Sequence, residues 1–255
     1  MKPNILIFNN KRFLHLVKRE WNHHKSTMLI VFTSITGGFL IPLLLQFFGS
    51  SNIENPFNTQ TLISSLTIMS VIFASLSFAE TIKTSGRQNY LSIPASHLEK
   101  LSSKWIMTAL IIPLAYILFF ILFGTIVPVI IQFFTTQEIR SEGFSISTIL
   151  QFLPAIYLAQ SVFILGSVWK PKYSLIKTSF AVLLTLFAIG IFAFLVFRIS
   201  FNEYFEGMVI SDHNLHIDVT IDELLKTKFS RYTAGFILFL TFMTSALFKL
   251  REKEL

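Results

Sequence analysis

The acidic, basic and histidine side chains, which most often serve as catalytic acids and bases or as metal ligands, lie outside the long apolar runs of this sequence. The chain has 255 residues and no Cys, which excludes a thiol nucleophile, a thiolate metal site and a disulfide framework. An intramembrane protease needs His, paired Asp or a His-Glu-x-x-His motif at membrane depth, and all six His residues lie outside the apolar runs. Those runs also contain no charged residue, which argues against a proton- or sodium-coupled transporter. We assign no catalytic residue and no metal site, and we expect Glu80 and Arg198, at the ends of runs, to extend toward the membrane interface.

The polar residues with the most informative spacing lie between two apolar runs, at 81–104. Ser96 and Glu99 have the spacing of a capping box, in which each side chain accepts a hydrogen bond from the backbone N–H of the other residue. Pro94 favours an extended backbone at the residue before it, and Gly86 offers a flexible joint. Residues 81–104 are therefore predicted to form an ordered connection, which we call the knuckle, and not a flexible loop.

Six apolar runs are long enough to hold that knuckle at a membrane surface. Hydrophobic residues make up 53% of the chain, charged residues make up 14%, and the mean hydropathy is +0.64. A membrane-spanning helix needs about 20 apolar residues, because the hydrocarbon core is about 30 Å thick. We predict an all-α polytopic membrane protein with a single transmembrane domain over residues 1–255. Its six spans are predicted near 28–48, 62–79, 105–134, 149–169, 180–197 and 233–248.

The distribution of basic residues predicts the orientation, because cytoplasmic loops retain Lys and Arg during insertion. With the N-terminus inside, the outer segments hold only five of the 21 Lys and Arg residues, namely Arg140, Arg198, Lys226, Lys228 and Arg231. Trp21, Trp105 and Trp169 then lie at inner-face boundaries, where an indole meets both lipid and water. We expect a multi-pass protein of the bacterial inner (cytoplasmic) membrane with both termini in the cytoplasm. The net charge of +7 then requires no nucleic-acid partner.

The N-terminal segment 9–24 has the pattern of an amphipathic helix. Phe13, Val17 and Trp21 recur at i, i+4 and i+8, while Arg12 and other basic residues fall elsewhere on the helix. A helix of this kind lies in the plane of the membrane interface. We therefore predict an interfacial helix on the cytoplasmic leaflet, separate from the first span.

The longest outer segment, 201–232, carries a second helix signal. Thr220 and Glu223 have capping-box spacing, which predicts a short outer helix. His213 and His216 lie just before it, but their spacing matches no established zinc-ligand signature. A solvated loop is the preferred interpretation of this histidine pair.

Small and hydroxyl-bearing residues are concentrated in the first two spans. Helix packing is the preferred interpretation, because small residues allow helices to approach closely and hydroxyls form hydrogen bonds between them. The functional alternative is a translocation path at the interface between two permease chains. The candidate residues for that path are Ser34, Thr36, Ser64, Thr67 and Ser70.

The knuckle resembles the inner loop that follows the second span in type-2 ABC transporter permeases. The pattern R-x-x-Y-L-x-I-P-A-S-x-x-E-K carries the resemblance, through Arg87, Tyr90, Leu91, Ile93, Pro94, Ala95, Ser96, Glu99 and Lys100. The six-span count, the interfacial helix and the outer helical loop are also similar to that family. The resemblance implies that residues 81–104 contain a coupling helix that docks into a cleft on a separate ATPase subunit. The implied docking contacts are Tyr90, Leu91, Ile93, Pro94 and His97.

The resemblance also implies an exporter assembled from two permease chains, identical or related, and two ATPase subunits within membrane lipid. ATP and Mg²⁺ are then expected on the ATPase, and this chain binds no cofactor. The sequence contains no G-x-x-x-x-G-K-[ST] motif, which excludes nucleotide binding by a P-loop. Two alternatives stay open: an ordinary cytoplasmic connection at 81–104, and a non-transporting membrane sensor, immunity or scaffold protein. The sequence does not indicate the substrate.

Overall fold

The computed structural model describes residues 8–49, 53–134, 139–140, 143–200, 205–206, 209–210 and 228–254. The helices in this part of the chain are α1 Asn10–Gly49, α2 Thr59–Leu76, α3 Thr84–Leu91, α4 His97–Ile106, α5 Ile112–Phe134, α6 Ile146–Trp169, α7 Ser174–Ser200 and α8 Lys228–Glu254. A 3-10 turn, Ala79–Ile82, precedes α3, and a π turn, Met107–Ile111, joins α4 to α5. Two-residue strands also pair: β1 Ile53–Glu54 runs parallel to β2 Ile139–Arg140, and β3 Phe205–Glu206 runs antiparallel to β4 Val209–Ile210.

Six helical stretches in the described part of the chain are long and apolar enough to cross a membrane. They are Asn10–Gln46, Thr59–Ile82, His97–Phe133, Ile146–Trp169, Ser174–Ser200 and Tyr232–Glu252. Each one overlaps a predicted span, so the six-span, all-α membrane fold is confirmed. The predicted outer helix at Thr220 and Glu223, and the pair His213 and His216, lie outside the described residues.

The N-terminal segment differs from its prediction, because it is not a separate helix. Residues 10–24 form the first turns of α1, which runs unbroken from Asn10 to Gly49. The sequence has neither Gly nor Pro between residues 9 and 36, so nothing interrupts the backbone hydrogen bonds at the expected junction. The buried face also differs from the predicted apolar face: Leu16, Glu20 and His24 are buried, whereas Trp21 is exposed.

A proline explains the irregular backbone between α4 and α5. The Ile112 N–H bonds five residues back to the Met107 carbonyl, as in a π turn. The next donor in that pattern would serve the Thr108 carbonyl, but it belongs to Pro113, which has no N–H. Gln160 of α6 takes that place, because its Nε2 donates to the Thr108 carbonyl at 3.1 Å. A buried side chain thereby satisfies the backbone group that the proline leaves open.

Two apolar clusters form the core of the described part of the chain. The larger one joins α1, α2, α5 and α6 around residues such as Phe73, Tyr116 and Phe120, which are fully buried. The smaller one includes Tyr90 and Ile164 and lies where α2, α4, α6 and α8 meet. We call this end of the bundle, where α1 begins, α2 ends and α3 and α4 lie, the charged end.

Helix α7 buries side chains against the other described helices near its first turns. A Cβ atom on Gly166 of α6 would lie 1.9 Å from Thr178 Oγ1, so only glycine allows this approach. Ser174 and Thr178 are the buried residues of α7. The remainder of α7 projects apolar side chains away from the other described helices.

Candidate functional site

The predicted capping box is present at the start of α4. The Ser96 hydroxyl accepts a hydrogen bond from the Glu99 N–H at 3.2 Å, and Glu99 Oε2 accepts one from the Ser96 N–H at 2.7 Å. The Ala95 N–H donates to the Ile93 carbonyl at 2.8 Å, which tightens the turn between α3 and α4. The turn on either side of Pro94 is thus hydrogen-bonded, as the sequence predicts for a knuckle.

Glu99 does more than cap a helix, because its second oxygen binds the N-terminal segment. Oε1 of Glu99 accepts hydrogen bonds from the Asn9 N–H at 2.6 Å and from Arg12 Nη2 at 3.2 Å. The Glu99 side chain is fully buried. One carboxylate therefore joins the start of α1 to the start of α4, across about 90 residues of sequence.

A second buried ion-pair network joins α1, α4 and the 3-10 turn. Lys104 Nζ donates to both carboxylate oxygens of Glu20, at 3.1 and 3.0 Å, and to Glu80 Oε1 at 2.8 Å. Arg19 Nη2 donates to the other oxygen of Glu80 at 2.8 Å. His24 Nε2 lies 3.6 Å from Glu20 Oε2. Two cations of the chain therefore hold Glu80 among the helices, and the expectation that it extends toward the membrane interface stays a prediction.

Tyr90 supports the knuckle from within and does not form part of its surface. Only 2% of Tyr90 is exposed, and its ring contacts Phe78 edge-on with centroids 6.0 Å apart. The ammonium groups of Lys100 and Lys104 each lie 5.3 Å from the centre of the Tyr90 ring. Cation–π contacts and burial therefore occupy the side chain that the resemblance implies is a docking contact.

Gly86 also differs from its predicted role as a flexible joint. It lies inside α3, and a Cβ atom there would meet the Glu80 carbonyl oxygen at 2.2 Å. Glycine is required at this position because α3 packs directly on the backbone of the 3-10 turn. The same contact holds α3 against the turn that carries Glu80.

The remaining knuckle residues divide into surface and support. Arg87 and Pro94 are exposed, as is Leu98, which was not among the predicted contacts. The half-buried residues are Ile93, Ser96 and His97, and the buried residues are Ala95, Glu99 and Lys100. Leu91 ends α3, and its side chain lies outside the described part of the chain. We call the exposed side chains of Arg87, Pro94 and Leu98 the exposed tip of the knuckle. It combines the guanidinium of Arg87 with two apolar side chains.

A small cavity lies beside this tip, at the charged end. Its volume is about 190 Å³, and it is lined by Phe78, Thr81, Arg87, Tyr90, Val168, Pro171 and Leu250. These residues come from the second span, from α3, from the end of α6 and from α8. The cavity is large enough for one side chain of a partner protein and carries one guanidinium at its edge.

The predicted path residues do not converge on one surface. Ser34 and Ser64 are exposed, Thr67 is half-buried, and Thr36 and Ser70 are buried. The hydroxyls of Thr36, Ser64 and Thr67 donate to carbonyls three or four residues back in their own helices. These hydroxyls form their hydrogen bonds within their own helix, so their placement does not assign them to a translocation path.

A larger cavity lies between α6, α8 and the end of α4. Its volume is about 670 Å³, and it is lined by Trp105, Gln151, Pro154, Ala155, Tyr157, Leu158, Tyr232, Gly235, Phe236 and Phe239. An aromatic and mostly apolar lining with a few polar groups suits a lipophilic molecule. Pattern analysis missed this cavity because α6 and α8 become neighbours only in the fold.

Sequence analysis also missed Asn9, Arg19, Glu20 and Lys104 as members of the site. The sequence contained one signal for part of this site: Arg12, Arg19 and Glu20 recur in α1 at i, i+7 and i+8. That spacing places them on one side of a helix, where a partner of opposite charge is required if the side is buried. The comparisons give no further assignment, because no protein family, curated protein or solved structure matches this chain.

Proposed function

We propose that this protein is the membrane-spanning permease subunit of an ATP-driven ABC transporter of the type-2 class, and that the transporter is an exporter. In this proposal the charged end faces the cytoplasm of a bacterium, the membrane is the inner membrane, and a separate ATPase subunit docks on the knuckle. ATP and Mg²⁺ are bound by that ATPase, and a second permease chain completes the assembly.

The observation that carries the proposal is the double attachment of the knuckle to the spans. Glu99 joins α4 to the start of α1, and Lys104 joins α4 to α1 and to the end of the second span. A force applied to α3 and α4 is therefore transmitted to the first three spans through short, buried contacts. An ordinary connecting loop requires no such attachment, whereas a coupling element does.

The exposed tip supplies the contact surface for the ATPase. Leu98 is 54% exposed, and Pro94 and Arg87 are exposed beside it. The adjoining cavity, lined in part by Arg87 and Pro171, offers a place for a partner side chain. An apolar anchor next to a cation is a common composition for the centre of a protein interface.

The aromatic cavity between α6 and α8 supports a lipophilic cargo. Tyr232 and Gln151 line the part nearest the end of the bundle opposite the knuckle, and Trp105 lines the part nearest the charged end. A molecule held there would be in contact with the hydrocarbon layer along much of its depth. This placement favours export of a substrate that enters from the membrane.

Co-purification of the ATPase from the native host tests the proposal. The full-length tagged chain is expected to retain a protein with P-loop sequence motifs, identified by mass spectrometry and by ATP hydrolysis. Leu98→Asp and Arg87→Glu are expected to lower the retained ATPase by tenfold or more, because both alter the exposed tip. Tyr173→Ala is the matched control, since Tyr173 is 64% exposed at the same end but outside the knuckle. Retention of no ATPase by the unmodified chain contradicts the proposal and favours the scaffold alternative.

Orientation is tested separately with a single introduced cysteine. The chain has no native Cys, so Gln88→Cys, at an exposed position of α3, provides one defined label site. A membrane-impermeant maleimide is expected to label it only in inside-out vesicles. Labelling in intact cells would place the knuckle outside and exclude ATPase docking.

A further inference from the structure

A stripe of alternating lysine and apolar residues runs along the first part of α1. It consists of Lys11, Leu14, Lys18, Trp21 and Lys25, and we call it the N-terminal stripe. The steps of three and four residues place all five side chains on one face of the helix. All five are exposed, with Leu14 at 65% and Trp21 at 41%.

The stripe faces away from the helix bundle, because ion pairs fix the other side of α1. Glu20 and His24 are buried: Glu20 is bound by Lys104 of α4, and the His24 ring lies against Phe73 of α2. Arg12 and Arg19 bind Glu99 and Glu80, respectively. Rotation of this part of α1 would break these contacts, so the stripe stays exposed.

The charges of the stripe are not neutralised within the described part of the chain. No carboxylate there forms an ion pair with Lys11, Lys18 or Lys25, whereas the neighbouring Arg12 and Arg19 are both paired. Three lysines at intervals of seven residues are about 10 Å apart along the helix axis. The partner that complements them carries several negative charges over about 20 Å.

The two apolar residues of the stripe narrow the choice of partner. Leu14 and Trp21 lie between the lysines and need an apolar neighbour that phosphates alone do not provide. Four residues beyond Lys25 the same face continues with Leu29, which is 62% exposed in the first span and therefore meets lipid. A phospholipid offers both an anionic headgroup and an acyl chain along one continuous face.

We propose that the N-terminal stripe binds anionic phospholipids of the leaflet at the charged end. Lys11, Lys18 and Lys25 attract the phosphate-bearing headgroups, and Trp21, which lies close to the apolar run of the first span, contacts the boundary between the headgroups and the acyl chains. The inference concerns lipid recognition and does not depend on whether an ATPase docks on the knuckle.

Trp21 provides the probe for the test. The chain has three Trp residues, so Trp105→Phe and Trp169→Phe leave Trp21 as the single fluorophore. The full chain is placed in phosphatidylcholine nanodiscs that contain increasing fractions of brominated phosphatidylglycerol, and quenching of Trp21 is followed. We expect saturable quenching at low fractions of the brominated anionic lipid, and weaker quenching by brominated phosphatidylcholine at equal fractions.

Replacement of the three lysines measures the contribution of charge. The variant Lys11→Gln/Lys18→Gln/Lys25→Gln is expected to raise the half-saturating fraction by roughly fivefold per lysine, until saturation is lost. Lys170→Gln/Lys172→Gln/Lys177→Gln is the matched control, because it removes the same charge from the α6–α7 connection and the first turn of α7. The control is expected to keep the half-saturating fraction of the parent chain.

A charge-preserving variant tests whether a loss of quenching comes from the loss of charge or from misfolding. Lys11→Arg/Lys18→Arg/Lys25→Arg is expected to retain the saturable quenching, and every variant is checked for the same elution volume as the parent chain. Equal quenching by the anionic and zwitterionic lipids overturns the proposal, as does the absence of quenching by either. A control variant that loses as much affinity as the stripe variant also overturns it, because bulk charge would then explain the effect.

Discussion

At the charged end, Glu20, Glu99 and Lys104 are each less than 4% exposed, and each is bound by a group of opposite charge. Along α7, in contrast, Ser174 and Thr178 are the buried residues, and large apolar side chains such as Phe187 are exposed. The two regions have opposite chemistry. They also differ in how much of their environment this chain itself supplies.

The difference between the charged end and α7 shows which contacts a membrane protein must form within its own fold. A charge removed from water requires a partner in the fold, since the cost of leaving it unpaired amounts to several kcal/mol. An apolar side chain in the bilayer requires no such partner, because lipid or another helix covers it equally well. Charge thus ties the knuckle to α1, whereas no ion pair among the described residues ties the far part of α7 to its neighbours.

Replacement of Lys104, the cation at the centre of the buried network, should cause the largest loss in the free energy of unfolding. Lys104→Met leaves Glu20 buried without its main partner and deprives Glu80 of one of its two cations. We expect a loss of about 3–5 kcal/mol in the free energy of unfolding, measured by denaturant titration in detergent. Lys170→Met, at an exposed lysine of the same end, should change it by less than about 0.5 kcal/mol. Equal effects of the two variants would contradict the buried network.

Loss of the negative charge on Glu99 should have the next largest effect. Glu99→Gln removes the ion pair with Arg12 and weakens two hydrogen bonds from backbone N–H groups. We expect a loss of about 1.5–3 kcal/mol and faster proteolysis next to Asn9. The exposed pair of Glu252 with Lys249 is the control, and Glu252→Gln should cost at most about 0.5 kcal/mol.

If Glu99 only caps the knuckle, Glu99→Ala should weaken ATPase docking and leave membrane insertion intact. The buried contacts of Glu99 make that variant a test of the fold as well as of docking. For this reason the exposed Leu98 and Arg87 are the better positions at which to test docking. Glu99→Ala should lower ATPase retention only together with the stability of the N-terminal segment.

The close approach of α6 and α7 should have an intermediate effect. Gly166→Ala places a methyl group against Thr178 Oγ1, and we expect a cost of about 1–3 kcal/mol, partly relieved by Thr178→Ala. Gly190 is the matched control in α7, since a Cβ atom there meets nothing within 4 Å. Gly190→Ala should stabilise the chain by about 0.5–1 kcal/mol through helix propensity. A similar loss at both glycines would show that α7 is packed along its whole length.

The smallest effect should come from the exposed part of α7. Leu186 is 64% exposed, so Leu186→Ala should change the unfolding free energy of the isolated chain by less than about 0.5 kcal/mol. Leu186→Cys provides a further measurement, since the chain has no other Cys. A disulfide-linked pair on mild oxidation would indicate that a second copy of this chain covers this face, and its absence would indicate lipid.

Much of the fold was predictable, because crossing a bilayer imposes a length and a composition that appear directly in the sequence. The six spans were found for this reason, and the capping box of Ser96 and Glu99 was found because its hydrogen bonds are local. The aromatic cavity was not found, since its lining comes from helices far apart in the sequence. The burial of Tyr90 was not found either, because two lysines and Phe78 reach its ring only in the fold.

The sequence by itself determined that this chain crosses a membrane six times and that a capped knuckle lies between the second and third spans. Both follow from interactions within short segments, namely the exclusion of charge from lipid and the hydrogen bonds of a helix start. Only the tertiary structure decided that Glu99 binds Asn9 and Arg12, and that Lys104 binds Glu20 and Glu80. The physical reason is that a buried charge takes its partner from whichever helix packs beside it, and sequence spacing does not specify that neighbour.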